Sequence, residues 1–216
     1  WSGRRDSNPR LQPWQGCALP LSYARIDFFC TNMIYNESII KKLLIMLNSY
    51  RLIDLLKNSK YNIKIHEHEA LFTVQNSREL RGKIKGAHSK NLFLKNKKNK
   101  FFLLSCEEDD KIDLKKISKS LDLGNISFAK EEYLEQHLKI KPGSVSPFAL
   151  LNDDSGQVNF YLERTLYNST HINFHPLVNT LTITIETDKF IEFMIENNKK
   201  IHIFSSIEGT VLKTYE

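Results

Sequence analysis

The residues best suited to chemistry lie in Gly86-Ala87-His88-Ser89-Lys90-Asn91-Leu92-Phe93-Leu94. A glycine-opened turn delivers Lys90 and Asn91 to the mouth of an apolar strand, where an ammonium can meet a substrate oxygen while the sheet holds its backbone. Lys90 is the expected functional centre. Two later loops are expected to converge on it: Lys141-Pro142-Gly143-Ser144-Val145-Ser146-Pro147-Phe148 and Asn173-Phe174-His175-Pro176-Leu177-Val178-Asn179-Thr180. Glycine frees the dihedrals at one end of 143–147 and proline locks them at the other, so the loop can aim N–H groups around Gly143 and Ser144 at an oxyanion. One lysine, His175 and shaped backbone suit hydrolysis of an already activated ester, in which positioning and oxyanion stabilisation dominate. An aminoacyl-tRNA is such an ester.

Other chemistries find little support. There is no nucleophile-elbow sequence, no Walker loop and no GxGxxG, and Cys106 sits in an apolar run, where it reads as inert packing. In His66-Glu67-His68-Glu69 the alternate residues share a strand face, the arrangement of a metal pair. With no further Cys or His nearby it reads as a solvated strand edge, and neither metal nor cofactor is expected. Cys17, Cys30 and Cys106 form no even set and no CxxC pair, which fits a reducing cytosol. No apolar run reaches the roughly 18 residues of a membrane span. The expectation is a soluble, monomeric, cytoplasmic protein. Its net charge of +6 points only weakly to an anionic partner such as RNA.

The elements that must position these residues follow from periodicity. Apolar residues at three-to-four spacing over 39–58 read as an amphipathic helix or two, 61–65 alternates as a strand, and Ser77 opens a short helix. Runs at 91–94 and 101–106 form a hairpin around Lys95-Asn96-Lys97-Lys98-Asn99-Lys100, whose lysines either touch phosphate or simply form a hydrated turn. Helices are expected at 113–123, capped by Gly124, and at 130–138. Strands are expected at 148–151, 158–162 and 181–185, then a helix capped by Thr187 and a closing strand at 201–204. The result is an α/β (α+β) domain with a mixed central sheet flanked by helices.

Residues 1–32 break this pattern. They hold both tryptophans, three prolines and no periodicity. Asp6-Ser7-Asn8-Pro9 can be encoded by a sequence whose reverse complement resembles the T-arm of a tRNA gene. The segment therefore reads as a non-native, disordered leader from a start site placed too early, with Met33 or Met46 as the true start. This gives a leader at 1–32, a helical segment at 33–50, the main domain at 51–206 and a tail at 207–216.

From about residue 52 to 205 the chain resembles the YbaK/aminoacyl-tRNA-synthetase-associated domain, and within it the free-standing ProXp-ala (PrdX) group that deacylates Ala-tRNA(Pro). The resemblance rests on His68-Glu69-Ala70-Leu71-Phe72-Thr73-Val74, Glu79-Leu80-Arg81-Gly82 and the stretches 86–94, 141–151 and 173–180, in family order. It implies that Lys90 is the key lysine and that 143–147, with Val145, Ser146 and Pro147, is the GxxxP loop. It also implies that Phe174 and His175 are the wall and polar edge of the aminoacyl pocket, and that Asn91 and Lys95 lie near the acceptor end of a mischarged tRNA. The ribose 2′-hydroxyl would help activate water. Lys97 and Lys98 would join in tRNA binding, and prolyl-tRNA synthetase is a candidate partner. Asn125 stands where similar proteins often carry arginine. The alternatives are a sibling deacylase of Cys- or Ser-charged tRNA, or a catalytically silent tRNA- or synthetase-binding module.

Overall fold

Helix α1 (Ser49–Lys57) starts where the side chain of Asn48 accepts the N–H of Arg51 at 3.0 Å, and it buries Leu52 and Leu56. The computed structural model describes residues 47–70 and 84–216. The leader, both candidate starts, most of the first helical pattern, the helix at Ser77, the second half of the motif that begins at His68 and the whole of Glu79-Leu80-Arg81-Gly82 lie outside the described residues.

Strand β1 (Lys64–Glu67) begins later than alternation predicts, because Tyr61 is buried in the core and Asn62 turns the chain at φ 35°. Strands β2 (Ala87–Asn96) and β3 (Phe101–Glu107) are the expected hairpin, extended at both ends. Helix α2 (Leu114–Ser120) is capped by Asp113, whose carboxylate accepts two backbone N–H groups. It ends at Leu121, and Asp122 rather than Gly124 takes the first left-handed position.

Strand β4 (Ile126–Phe128) and helix α3 (Glu131–Tyr133) follow, the helix running on into a π-helical turn. The expected strand at 148–151 is instead a 3-10 helix, Pro147–Asn152. Four consecutive buried residues there carry no alternation, and Pro147 at the first helical position favours the helical turn. Strand β5 (Val158–Glu163), helix α4 (Arg164–Tyr167), strands β6 (His171–Phe174) and β7 (Leu181–Glu186), and helix α5 (Thr187–Glu196) complete the central part. Glu186 is the N-cap of α5; the hydroxyl of Thr187 bonds the carbonyl of Ser169 instead. Strand β8 (Ile201–Ser205) is not the last, for residues expected to be a tail form β9 (Thr210–Tyr215).

Among the described residues nine strands form one mixed sheet in the order β1-β7-β6-β2-β3-β5-β8-β9, with β4 also paired to β2. Both faces are covered. Phe93, Leu103, Phe160, Ile172, Phe174, Ile183 and Ile203 pack on α1, α5 and the 3-10 helix, while Leu94, Leu104, Cys106 and Tyr161 pack with Ile117 of α2. Strand β2 is the hinge of the sheet. It starts parallel to β6, with Ala87 opposite Ile172 and His88 opposite Asn173, and ends on β4, with Leu94 opposite Phe128.

Candidate active site

The site lies where β2 leaves β6. Gly86 permits that junction: its φ is 105°, and a β-carbon there would stand 3.0 Å from the carbonyl oxygen of His171, so only glycine lets the two strands approach. From Ser89 onward the sides of β2 separate by alternation. Ser89, Asn91 and Phe93 share one face, and His88 and Lys90 share the other.

On the first face Asn91 is a tether. Its amide donates to the carbonyl of Val145 at 3.0 Å, and its oxygen accepts the Ser105 hydroxyl at 2.5 Å. Ser89 donates to the carbonyl of Asn173 at 2.8 Å. The loop 143–147 is thus tied to β2. It also reaches the other loop, since Gly143, at φ 83°, would place a β-carbon 3.7 Å from Nδ2 of Asn179. The two loops thus approach each other at Gly143 and Asn179. The N–H of Ser144 is spent on the carbonyl of Lys141 at 3.2 Å, whereas those of Gly143, Val145 and Ser146 have no acceptor among the described residues. Ser146 is wholly buried, with its hydroxyl unpartnered among the described residues.

On the second face lies Lys90, and here the structure corrects the expectation that Lys90 meets 143–147 directly. Its ammonium donates to the carbonyl of Glu108 at 3.1 Å and to that of Asp110. An ammonium has three donors, so one remains for a substrate oxygen. Beside it the Asp110 carboxyl is pushed up by burial and by Glu163, against the opposing pull of Lys90. Cys106, opposite Lys90 in the register, is buried and its thiol is pushed up to about 12 by that burial; it is inert packing, as its apolar run implies.

His175 stands at the end of β6. Its Nδ1 bonds the carbonyl of Leu181 at 2.8 Å, so Nδ1 carries the hydrogen and Nε2 is left as an acceptor. Burial holds it below the ordinary histidine range, with His68 and His88 adding to that effect and the Leu181 bond and Glu108 opposing it. A half-buried, neutral imidazole suits proton acceptance near neutral pH.

Phe174 is not a pocket wall. It is 1% exposed and packs on Phe148 and Phe190 with ring centroids at 5.9 and 4.9 Å, because adjacent strand residues point to opposite faces. Pro147 is likewise buried. Lys95 is engaged elsewhere: its Nζ donates to Asn99 at 3.1 Å and Tyr133 at 3.3 Å and lies 4.4 Å over the Tyr133 ring. Lys97 and Lys98 are exposed on the hairpin turn, about 20 Å along the strand from Asn91 at ~3.3 Å per residue, where with Lys100 and Asn125 they border a cleft of about 430 Å³.

Sequence reasoning missed two groups. His66 and His68 are not a merely solvated edge: Nε2 of His66 lies 3.1 Å from Thr184 Oγ1, and Nε2 of His68 lies 2.9 Å from Thr182 Oγ1. Thr184 in turn donates to Asn173 at 2.6 Å. The i, i+2 spacing of the two histidines signalled a shared face, but not which strand would meet it.

Residues 68–193 match the aminoacyl-tRNA editing domain family. That span exceeds half of the chain and includes Lys90, the 143–147 loop and His175. The chain belongs to this family. Among similar proteins are a prolyl-tRNA synthetase associated domain-containing protein 1 of Bos taurus, 37% identical over 61% of this chain and 79% of its own, and the prolyl-tRNA editing protein ProX of Acetoanaerobium sticklandii, 29% identical over 71% of this chain and 92% of its own. A solved structure described as a proposed trans-editing enzyme for prolyl-tRNA synthetase superposes with a TM-score of 0.54 at 17% identity, over 71% of this chain and 94% of that one. It supports the mixed α/β fold of the editing domain. No helix among the described residues is long and apolar enough to cross a membrane.

Proposed function

We propose that the protein is an aminoacyl-tRNA deacylase acting in trans, which hydrolyses Ala-tRNA(Pro) to alanine and tRNA(Pro). The observation that carries this reading is the family match across 68–193, which spans both Lys90 and His175. The names of the similar proteins support prolyl-tRNA as the context. The energetic reason for such an enzyme is general. A synthetase pocket built for proline cannot exclude alanine well, because each missing methylene forfeits only about 1–3 kcal/mol. A second pocket too small for proline rejects the correct product by overlap.

In the reaction, water adds to the ester carbonyl, the bond to the ribose oxygen breaks, and that oxygen takes the proton. Lys90 offers its remaining N–H to the ester carbonyl oxygen as it gains negative charge, while Asn91, on the other face of β2, fixes the 143–147 loop that borders the site. His175 Nε2 accepts a hydrogen bond from the attacking water or from the 2′-hydroxyl that helps to activate it. No metal takes part. Lys97 and Lys98, about 20 Å up the strand, touch phosphates of the acceptor stem rather than its end. The protein works as a cytosolic monomer, with prolyl-tRNA synthetase, named in the descriptions of its relatives, as the candidate partner.

A deacylation panel of Ala-, Cys- and Ser-charged tRNA tests the assignment. Alanine is expected to be released at least about ten-fold faster than the others, one factor of ten being about 1.4 kcal/mol of discrimination. Faster release of cysteine or serine would transfer the assignment to that sibling activity.

A further inference from the structure

We propose that His68 is a positioning residue for His175, holding from both sides the carbonyl that orients it. This rests on the reading that His175 faces the substrate. Three consecutive residues carry the argument. The backbone N–H of His68 donates to the carbonyl of Thr180 at 3.0 Å, and its ring meets the hydroxyl of Thr182 at 2.9 Å. Between these two lies Leu181, whose carbonyl receives His175 Nδ1–H. His68 therefore fixes both neighbours of the group that sets the tautomer of His175.

The ring of His68 is itself locked. Its Nδ1 lies 2.8 Å from the carbonyl of Glu69, which can only accept, so Nδ1 carries a hydrogen and the neutral ring takes the Thr182 hydroxyl at Nε2. The two imidazoles then face each other at 5.9 Å and 53°. Such support is needed here. Strand β1 is four residues long at the edge of the sheet, and a short edge strand frays without side-chain anchorage. The loop 176–180 that leads into Leu181 has Leu177 in the left-handed region at φ 65°. The other ionisable groups toward His175 are His88 from β2 and Glu108 after β3.

Three single variants of the full chain test this: His68→Phe keeps a ring without the bond, His68→Gln keeps an acceptor for Thr182, and Thr182→Val removes the same bond from the other side. The readouts are the tautomer of His175, by nitrogen–proton NMR, and kcat and KM on Ala-tRNA(Pro). His68→Phe and Thr182→Val are expected to shift neutral His175 from Nδ1–H to a mixture of tautomers. Their kcat should fall about ten-fold, a loss of the size small misplacements cause, while KM stays within about two-fold; His68→Gln should retain the tautomer and most of kcat. An unchanged Nδ1–H tautomer in His68→Phe or Thr182→Val would overturn the proposal whatever the activity. A changed tautomer with unchanged kcat would overturn the catalytic relevance of His175 instead, and so contradict the reaction given above rather than the clasp.

Discussion

Replacing Lys90 with alanine is expected to lower kcat/KM on the mischarged tRNA by about 100- to 1,000-fold, the usual loss when one donor to a developing oxyanion is removed. The ammonium is already held by the carbonyls of Glu108 and Asp110, so its remaining N–H is fixed in direction before substrate arrives and costs little to organise. Binding of uncharged tRNA should change by less than about three-fold, since one lysine among many contributes only a single phosphate-scale contact. Single-turnover deacylation and a binding isotherm at one fixed salt concentration separate the two effects. Equal turnover in mutant and wild type would remove Lys90 from the mechanism, and an absence of turnover in both would favour a silent binding module.

The second large effect concerns stability. Phe148 follows the 143–147 loop directly and is wholly buried, with its ring edge-on to Phe174, Phe190 and Phe193 at 5.9, 5.7 and 5.8 Å. Phe148→Ala is expected to cost about 3–5 kcal/mol, from lost burial plus the cavity that three fixed rings cannot close. That is a large part of the roughly 5–15 kcal/mol that holds a domain together. For a chain of this size the melting temperature should fall by about 6–20 °C. A fall below about 3 °C by calorimetry would mean that the aromatic cluster relaxes to fill the space, and that the loop is not anchored through it.

Phe148 also marks where the sequence misleads. Residues 148–151 are apolar without interruption, and a run of that kind has no period from which strand and helix can be told apart. The runs at 91–94 and 101–106 were legible because an all-polar turn separates two short apolar runs. The glycine-opened turn at Gly86 was legible too, although the reason for it, close approach to the carbonyl of His171, belongs to tertiary structure. Strand alternation already implied that Lys90 and Asn91 cannot serve the same face, and likewise Asn173 and Phe174. Motif resemblance groups neighbours in sequence and so conceals that division. The partners of His66 and His68 lie more than 110 residues away on β7, and nothing local encodes that register. Strand β9 pairs with β8 through a bulge and leaves Val211 and Leu212 exposed.

Under the proposed function, alanine mis-attached to tRNA(Pro) is hydrolysed and proline is excluded by size. The most direct test of this function is the rate of deacylation of Ala-tRNA(Pro) beside Pro-tRNA(Pro) by the wild-type protein, each charged on the same tRNA so that RNA contacts cancel. The expected result is rapid loss of alanine and a rate on proline at least about 1,000-fold lower, a steric ratio beyond the roughly 10–200-fold that a single methylene's binding energy gives. Equal rates on the two, or preserved Ala-tRNA(Pro), would contradict it.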